Sequence, residues 1–394
     1  MKVYLDNNRL TPVDPQVREV MEPFLQEPYG DLPALHDFGA ASRKAYNEAV
    51  EKCYAGLHAS EKDTLLFTSG AAESNSTVFM STYTRFILTG RKNNIIVSER
   101  EPLSILEMAR FLEEQGCRVN YLPVNSDGIV DPERLTDYLT PRTALVSVSM
   151  VDGESGAINP VEEIAEICRR YEVPFHTDAT QAMGRIPVDL QRLQADFLTF
   201  SSETLHAPVG TGGLFLREGT ELLPLIPGGR MKAEALRGGP LNIPGIVGLG
   251  KAMEIAADAL GFEVEDMRDL RDKLEEALRG LPGVEILVPW ALRTPNTVLA
   301  AFRGVESESM LYELNREGVA AYSATVHPFG EWRERPLTDI LGFDPVLRHS
   351  TVGFALNRNT TEAEIDHTVQ AVKQALEYLR GFCPLRDNES EERA

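Results

Sequence analysis

The chain has 394 residues, is 43% hydrophobic and carries a net charge of −21. That is globular composition with length for a large core and two domains. The acidity argues against a nucleic-acid partner and fits a solvated acidic surface or a basic partner. No apolar run approaches the roughly 20 residues of a membrane span. The N-terminus MKVYLDNN meets Asp6 early and lacks the long apolar region of a secretory signal, so a cytoplasmic location is expected. Cys53, Cys117, Cys168 and Cys383 are far apart with no CxxC pair, which argues against a disulfide framework and a zinc site.

In chain order, Val3–Asn8 reads as a short strand entering a turn. A helix is predicted behind an Asp14 cap, with Val17, Val20, Met21 and Phe24 on one face. A Gly/Pro/His loop spans Tyr29–Gly39, and a second helix is expected over Ala41–Leu57. Thr64–Gly70 is a strand opening into the helix that starts AAESN. Then come the strand NIIVSER, a helix through Ile105–Gln115, the strand RVNYLPV, a helix at Pro132–Tyr138, the strand TALVSVSMV and the helix VEEIAEICRRY. The strands VPFHTDA and ADFLTFS close the series. Strands that alternate with helices and are apolar throughout predict an α/β fold on a mainly parallel sheet covered on both faces.

The stretch Ala195–Gly213 organises the rest: a buried strand (Phe197, Leu198, Phe200) leaves into a turn, and P-x-G-x-G-G allows close backbone approach. Beyond it a long helix is predicted from Ile246 to Leu278 with a break near Gly261. NTVLAAF, a helix over Glu306–Glu317, VAAYSA and a last helix over Glu362–Leu379 then suggest an α+β unit. We expect a large domain over 16–249, a small one from 1–15 and 250–385, and a disordered acidic tail over 386–394.

Several motifs together resemble the cysteine desulfurases, in the class V aminotransferase group of pyridoxal-phosphate (PLP) enzymes. They are YLDNN, Tyr29–Gly39, Phe67–Asn75, Asp127–Leu135, Gly156–Ile164, Phe175–Leu190, Pro208–Gly213 and Asn357–Asp366, which cover nearly the whole chain in order. The resemblance implies PLP fold type I, with a seven-stranded, mainly parallel sheet. It also implies a remnant cofactor site. Thr68, Ser69 and Gly70, with Ala71 and Ala72 opening a helix, form a phosphate cradle in the family, although the same residues suit a plain strand-to-helix turn. Asp178 matches the carboxylate that pairs with the pyridinium nitrogen; a buried structural carboxylate is the other reading. Gln181 matches the glutamine at the ring oxygen, and Ser201 a phosphate-binding serine.

The groups that carry desulfurase chemistry differ. The family's S-x-H-K turn is here Ser201-Ser202-Glu203-Thr204, and no lysine lies between Lys92 and Lys232, so a shifted register cannot supply the Schiff base. The phosphate-binding histidine is Glu203, whose carboxylate would repel a phosphate. The stacking histidine is Arg100, the N-N-E run is Asp152-Gly153-Glu154, the substrate arginine is Gly353, and the nucleophilic cysteine is Thr325. In the segment that reaches the partner subunit's phosphate, Arg237 remains but the hydroxyl is replaced by Pro240. Near the N-terminus, A-T-T reads Arg9-Leu10-Thr11.

Lysine, thiol, histidine and arginine serve separate steps, so their joint absence points to abandoned desulfurase chemistry on a retained scaffold. The expected function is a non-catalytic homodimeric scaffold or regulatory partner of a desulfurase, an iron–sulfur scaffold or a sulfur acceptor. No catalytic residue, metal or cofactor is assigned. The alternative is a repurposed enzyme binding PLP non-covalently, or another small anion, at Ser69–Ala72 and Ser201. A desulfurase completed by another chain is least favoured. Arg100 is expected to enter the vacated space and pair with Asp178 or Glu203. Glu203, His206, His36 and His176 match no standard metal spacing. Cys168 is expected in the core of its helix.

Overall fold

A computed structural model describes residues 1–27, 30–228, 236–289, 291–324 and 337–382. Thr325, Cys383 and the tail over 386–394 lie outside the described residues.

Among the described residues the larger sheet has seven strands. In chain order after the terminal strand β1 (Val3–Tyr4) they are β2 (Thr64–Thr68), β3 (Asn94–Ser98), β4 (Arg118–Leu122), β5 (Thr143–Ser147), β6 (Phe175–Asp178), β7 (Phe197–Ser201) and β8 (Gly212–Leu216). Their spatial order is β2-β8-β7-β6-β5-β3-β4. β8 pairs antiparallel to both neighbours, and the other pairs run parallel. The sequence pattern placed a glycine-rich turn where β8 begins; the strand itself was missed because its first two residues are Gly212 and Gly213.

Those glycines have a steric cause. A Cβ on Gly212 would lie 2.7 Å from the Cα of Gly70, in the turn leaving β2, and one on Gly213 would overlap the Phe200 ring on β7. The backbone approach predicted from P-x-G-x-G-G thus brings β8 against the turn at Gly70.

Helices cover both faces, as parallel strands buried on both sides require. Asp14 caps α1 (Pro15–Gln26), accepting from the Gln16 N–H at 2.8 Å. The helix expected over Ala41–Leu57 begins earlier, as α2 (Asp37–Gly56), because His36 Nδ1 accepts the Gly39 N–H and caps it. α3 (Ala71–Thr82) and α4 (Leu103–Glu114) follow β2 and β3, and α5 (Pro132–Tyr138) has the predicted bounds. α6 (Val161–Arg170) carries Glu162 and Glu163 in its first turn and Arg169 and Arg170 in its last, matching the helix dipole. The predicted long helix is two, Ile243–Ala259 and Phe262–Arg279, separated at Leu260–Gly261.

The smaller unit, among the described residues, holds a four-stranded antiparallel sheet. Its strands are β9 (Val284–Ile286), β10 (Thr297–Phe302), β12 (Tyr322–Ser323) and β13 (Thr351–Ala355), in the order β12-β13-β10-β9. β9 and β13 were not foreseen: one is three residues long and the other contains Gly353. VAAYSA serves two sheets. Its first half, β11 (Val319–Ala320), pairs with β1, and its second half is β12. Residues 3–8 therefore begin in the smaller unit and end in the cleft. Asn7 Nδ2 donates to Ala355 O at 2.7 Å, while Arg185 Nη2, from the larger unit, donates to Asn7 O at 2.8 Å.

Replacing Gly213 with alanine should destabilise the protein by about 1–3 kcal/mol, the usual cost of overpacking. A urea denaturation should show a lower midpoint at an unchanged slope.

Candidate functional site

The carboxyl ends of β3, β5, β6 and β7 point to one side of the sheet, where open α/β sheets form clefts. A cavity of about 390 Å³ lies there. It is lined by Arg100 and Glu101 after β3, Asp152 and Glu154 after β5, Asp178 ending β6, and Glu203 and Thr204 after β7. Ala71 and Ala72 border it from α3, Arg9 from the N-terminal segment and Tyr322 from β12. So the structure brings most of the residues singled out from the sequence to one place. Ser201 stands at its edge, bonded to Glu203 and Ala71.

Asp178 is buried. Its two carboxylate oxygens accept from Asn75 Nδ2 at 2.8 Å and the Thr180 N–H at 2.9 Å. Burial pushes its pKa up, against the pull of these bonds. Arg100 does not reach it. The expected pairing with Asp178 or Glu203 is wrong, because two nearer carboxylates take the guanidinium. Nε lies 3.0 Å from Asp152 Oδ2, and Nη2 lies 2.6 Å from Glu154 Oε2. All three residues are buried. Burial works against the arginine's charge, but both carboxylates outweigh it and raise its pKa. Asp152 is held in turn by the N–H groups of Glu154 and Ser155 at 3.0 and 2.7 Å.

Around the turn at Gly70 the backbone donors are already engaged. The Ser69 N–H donates to Glu73 Oε2 at 2.8 Å, the Gly70 N–H to Thr68 Oγ1 at 3.3 Å, and the Ala71 N–H to Ser201 Oγ at 3.3 Å. The Ser201 hydroxyl donates onward to the Glu203 carboxylate. Glu73 also accepts from Arg237 Nε at 3.0 Å. Burial would raise Glu73, but its bonds to Arg237 and Ser69 outweigh it and hold the carboxyl below its usual range.

Thr204 Oγ1 donates to Thr180 O at 2.9 Å. Gln181 lines the cavity, with Nε2 donating to Asn8 O at 2.7 Å and Oε1 accepting from Arg185. Gly353 sits directly opposite Tyr322 in the β12–β13 ladder, and a Cβ on it would fall inside the Tyr322 ring. That ring thus covers the backbone where an arginine side chain would start. Its hydroxyl donates to Glu154 O at 2.6 Å, and Arg9 lies over the ring at 5.9 Å.

Sequence reasoning missed Tyr322, Asn75 and Glu101. Tyr322 and Asn75 carry no local signal. Glu101 had one, since two glutamates flank Arg100. Glu101 is buried and accepts from the Ser149 N–H at 2.8 Å and the Ser149 hydroxyl at 2.5 Å. Burial, with Asp178 and Asp152 nearby, pushes its pKa up to about 8.

The histidines do not assemble. His176 lies in the sheet between Ser147 Oγ (2.8 Å) and Thr199 Oγ1 (3.1 Å), and burial lowers its pKa to about 3. His206 bonds to Pro12 O, and His36 caps α2. Among the described residues no group of three or more His, Cys, Asp or Glu is placed to hold a metal. Cys53 and Cys168 are buried, and burial pushes both thiols up to about 12.

A mainly parallel seven-stranded sheet with its cleft at the strand ends defines the class: the α/β fold of type I PLP-dependent transferases. The family model for class-V aminotransferases matches residues 3–367, and the chain belongs to this family, among the cysteine desulfurases. It is 34% identical over 386 residues to the cysteine desulfurase IscS of Dictyoglomus turgidum, covering 98% of this chain and 97% of that one. It is 35% identical over 389 residues to a cysteine desulfurase of Nostoc sp., covering 98% and 96%. A solved NifS-like protein superposes with a TM-score of 0.89 at 33% identity, over 96% of this chain and all of that one.

The cofactor this fold implies is PLP, and the residues present do not fit it. A phosphate at the turn would find the N–H groups of Ser69, Gly70 and Ala71 already bonded within the protein, and would face the carboxylate of Glu203. No amine stands at residue 204 to form an imine.

Glu101 makes stability depend on pH. Unfolded, its carboxyl ionises near 4.5, whereas folded it holds its proton to about 8. Between these values the unfolded chain has lost a proton that the folded chain keeps, so stability falls as pH rises across this window. Tm measured from pH 5 to 8.5 should decline. Glu101→Gln, whose Oε1 can still accept from the Ser149 N–H and whose Nε2 can donate to Ser149 Oγ, should flatten the decline.

Proposed function

We propose that the chain is a non-catalytic member of the cysteine desulfurase family. It acts as a homodimeric, cytoplasmic scaffold or regulatory partner in sulfur or iron–sulfur metabolism. The observation that carries this reading is Thr204. It lies in the turn after β7 at the cavity wall, with its hydroxyl committed to Thr180 O, in a chain without lysine between Lys92 and Lys232. A type I PLP enzyme of this family needs an amine there to tether its cofactor.

Three further substitutions support it. Arg100 replaces a group that stacks and moves protons with a guanidinium held by two buried carboxylates, which does not release a proton at neutral pH. Gly353 lacks a substrate-binding side chain, and Tyr322 covers it. Thr325 is no thiol. In this reading the partner is a desulfurase, an iron–sulfur scaffold or a sulfur-acceptor protein. No described helix is long and apolar enough to cross a membrane.

The size of the cavity favours one alternative, an enzyme with new chemistry that binds PLP non-covalently or takes another small anion. Its charge weighs against that. Asp152, Glu154, Asp178 and Glu203 line it against Arg9 and Arg100, while Glu101 beside them keeps its proton to about 8. An anion entering would meet more negative than positive groups, and Arg100 is already paired.

The test is to incubate the purified protein with excess PLP, remove free cofactor, and record the absorption spectrum and sulfide release from cysteine. We expect no retained PLP and no sulfide above the protein-free rate. Stoichiometric PLP after desalting would favour the alternative, and sulfide release would sink both.

A further inference from the structure

We infer that the Glu203 side chain is a built-in anion. It occupies the electrostatic role of a phosphate at the N-terminus of α3 and so lets this fold stand without one. The inference rests on the non-catalytic reading above and adds what took the cofactor's place.

An α-helix begins with N–H groups that lack partners within the helix and a partial positive charge, and both favour an anion. α3 starts at Ala71, directly after the glycine turn at the end of β2. Gly70 has φ 144° and no side chain with which to cap the helix. The positive φ of Gly70 disfavours any residue with a side chain at this position, and a Cβ on the facing Gly212 would lie 2.7 Å from the Gly70 Cα. The helix therefore depends on groups brought by other segments.

Those groups form a chain. The Ala71 N–H donates to Ser201 Oγ, and the Ser201 O–H donates to the Glu203 carboxylate. The serine thus relays the helix's positive end to a full negative charge. The main chain of Glu203 is also fixed. Glu203 O accepts from the Thr11 N–H at 2.8 Å and from Thr11 Oγ1 at 2.9 Å, which pins its backbone to the N-terminal segment. Glu73 is a second carboxylate at this helix start, but Arg237 neutralises it, so it does not substitute for Glu203.

A carboxylate and a phosphate make the same demand on this place: negative charge and hydrogen-bond acceptors. They cannot share it, because two anions in contact repel. In this protein the position is taken, so inorganic phosphate should gain nothing by binding. With the charge removed, the repulsion is gone and the Ser201 hydroxyl can turn from residue 203 to an incoming phosphate, which then sits at the positive end of the helix.

The experiment compares wild type, Glu203→Gln and Glu203→Asp, titrating inorganic phosphate against chloride at equal ionic strength. The readouts are Tm and the line width of the phosphate phosphorus resonance. In chloride, Glu203→Gln should melt below wild type. Phosphate should raise its Tm saturably toward the wild-type value and broaden the phosphorus line. Wild type and Glu203→Asp, which keep the charge, should respond to neither salt specifically. If Glu203→Gln does not fold in chloride, recovery of folded protein in phosphate becomes the readout. A wild type that gains as much from phosphate as Glu203→Gln overturns the inference, and so does a Glu203→Gln protein that phosphate neither stabilises nor refolds. The PLP measurement on wild type judges the non-catalytic reading, so the two can fail separately.

Discussion

The guanidinium of Arg100, held between Asp152 and Glu154 with all three side chains buried, is the interaction on which the cleft depends. Taking one cation and two carboxylates from water costs several kcal/mol per ion, and attraction repays this only when the remaining polar atoms are also bonded. Here they are. Asp152 Oδ1 accepts from Glu154, Ser155 and the Ser155 hydroxyl. Removing one partner would leave a buried charge poorly compensated. The group therefore fixes the loop after β5 against the end of β3, and the cavity takes its shape from that loop.

The same loop connects the two units. Tyr322 on β12 donates to Glu154 O, and Asn8 Nδ2 donates to Gly153 O at 3.2 Å and Thr297 Oγ1 at 3.0 Å. Asn8 Oδ1 accepts from Asn296, and its carbonyl accepts from Gln181. Asn8 is thus satisfied by both sheets at once, which explains why the first turn of the chain is buried in the cleft. The Tyr322 ring covers Gly353, and its hydroxyl donates to Glu154 O and accepts from Asn8 Nδ2, which closes one side of the cavity.

These contacts give the site its character. Each position that differs from the family's S-x-H-K, T-E-H and arginine motifs is engaged within the protein. Thr204 bonds Thr180, Glu203 bonds Ser201, Arg100 bonds two carboxylates, and Gly353 lies under a ring. Buried polar groups without partners are costly, and here the side chains of the site meet one another's demands. Glu101 departs from this pattern. It has partners, yet it lies close enough to Asp178 and Asp152 for its proton to be retained.

The sequence by itself determined the family, the α/β class, the alternation of elements and which residue types stand at the motif positions. These follow from local periodicity and motif order, which survive without knowledge of partners. It showed that position 204 holds no amine and position 353 no guanidinium, since composition at a position needs no geometry. Only the tertiary structure decided where the charges went. Arg100 could be expected near Asp178, because both belong to one site, but Asp152 and Glu154 arrive on a loop whose path depends on the small sheet. Tyr322 lies 31 residues from the glycine it covers and meets it only through antiparallel register. Pairing of charges and filling of space depend on distances between segments far apart in the chain, and those distances exist only once both sheets are assembled.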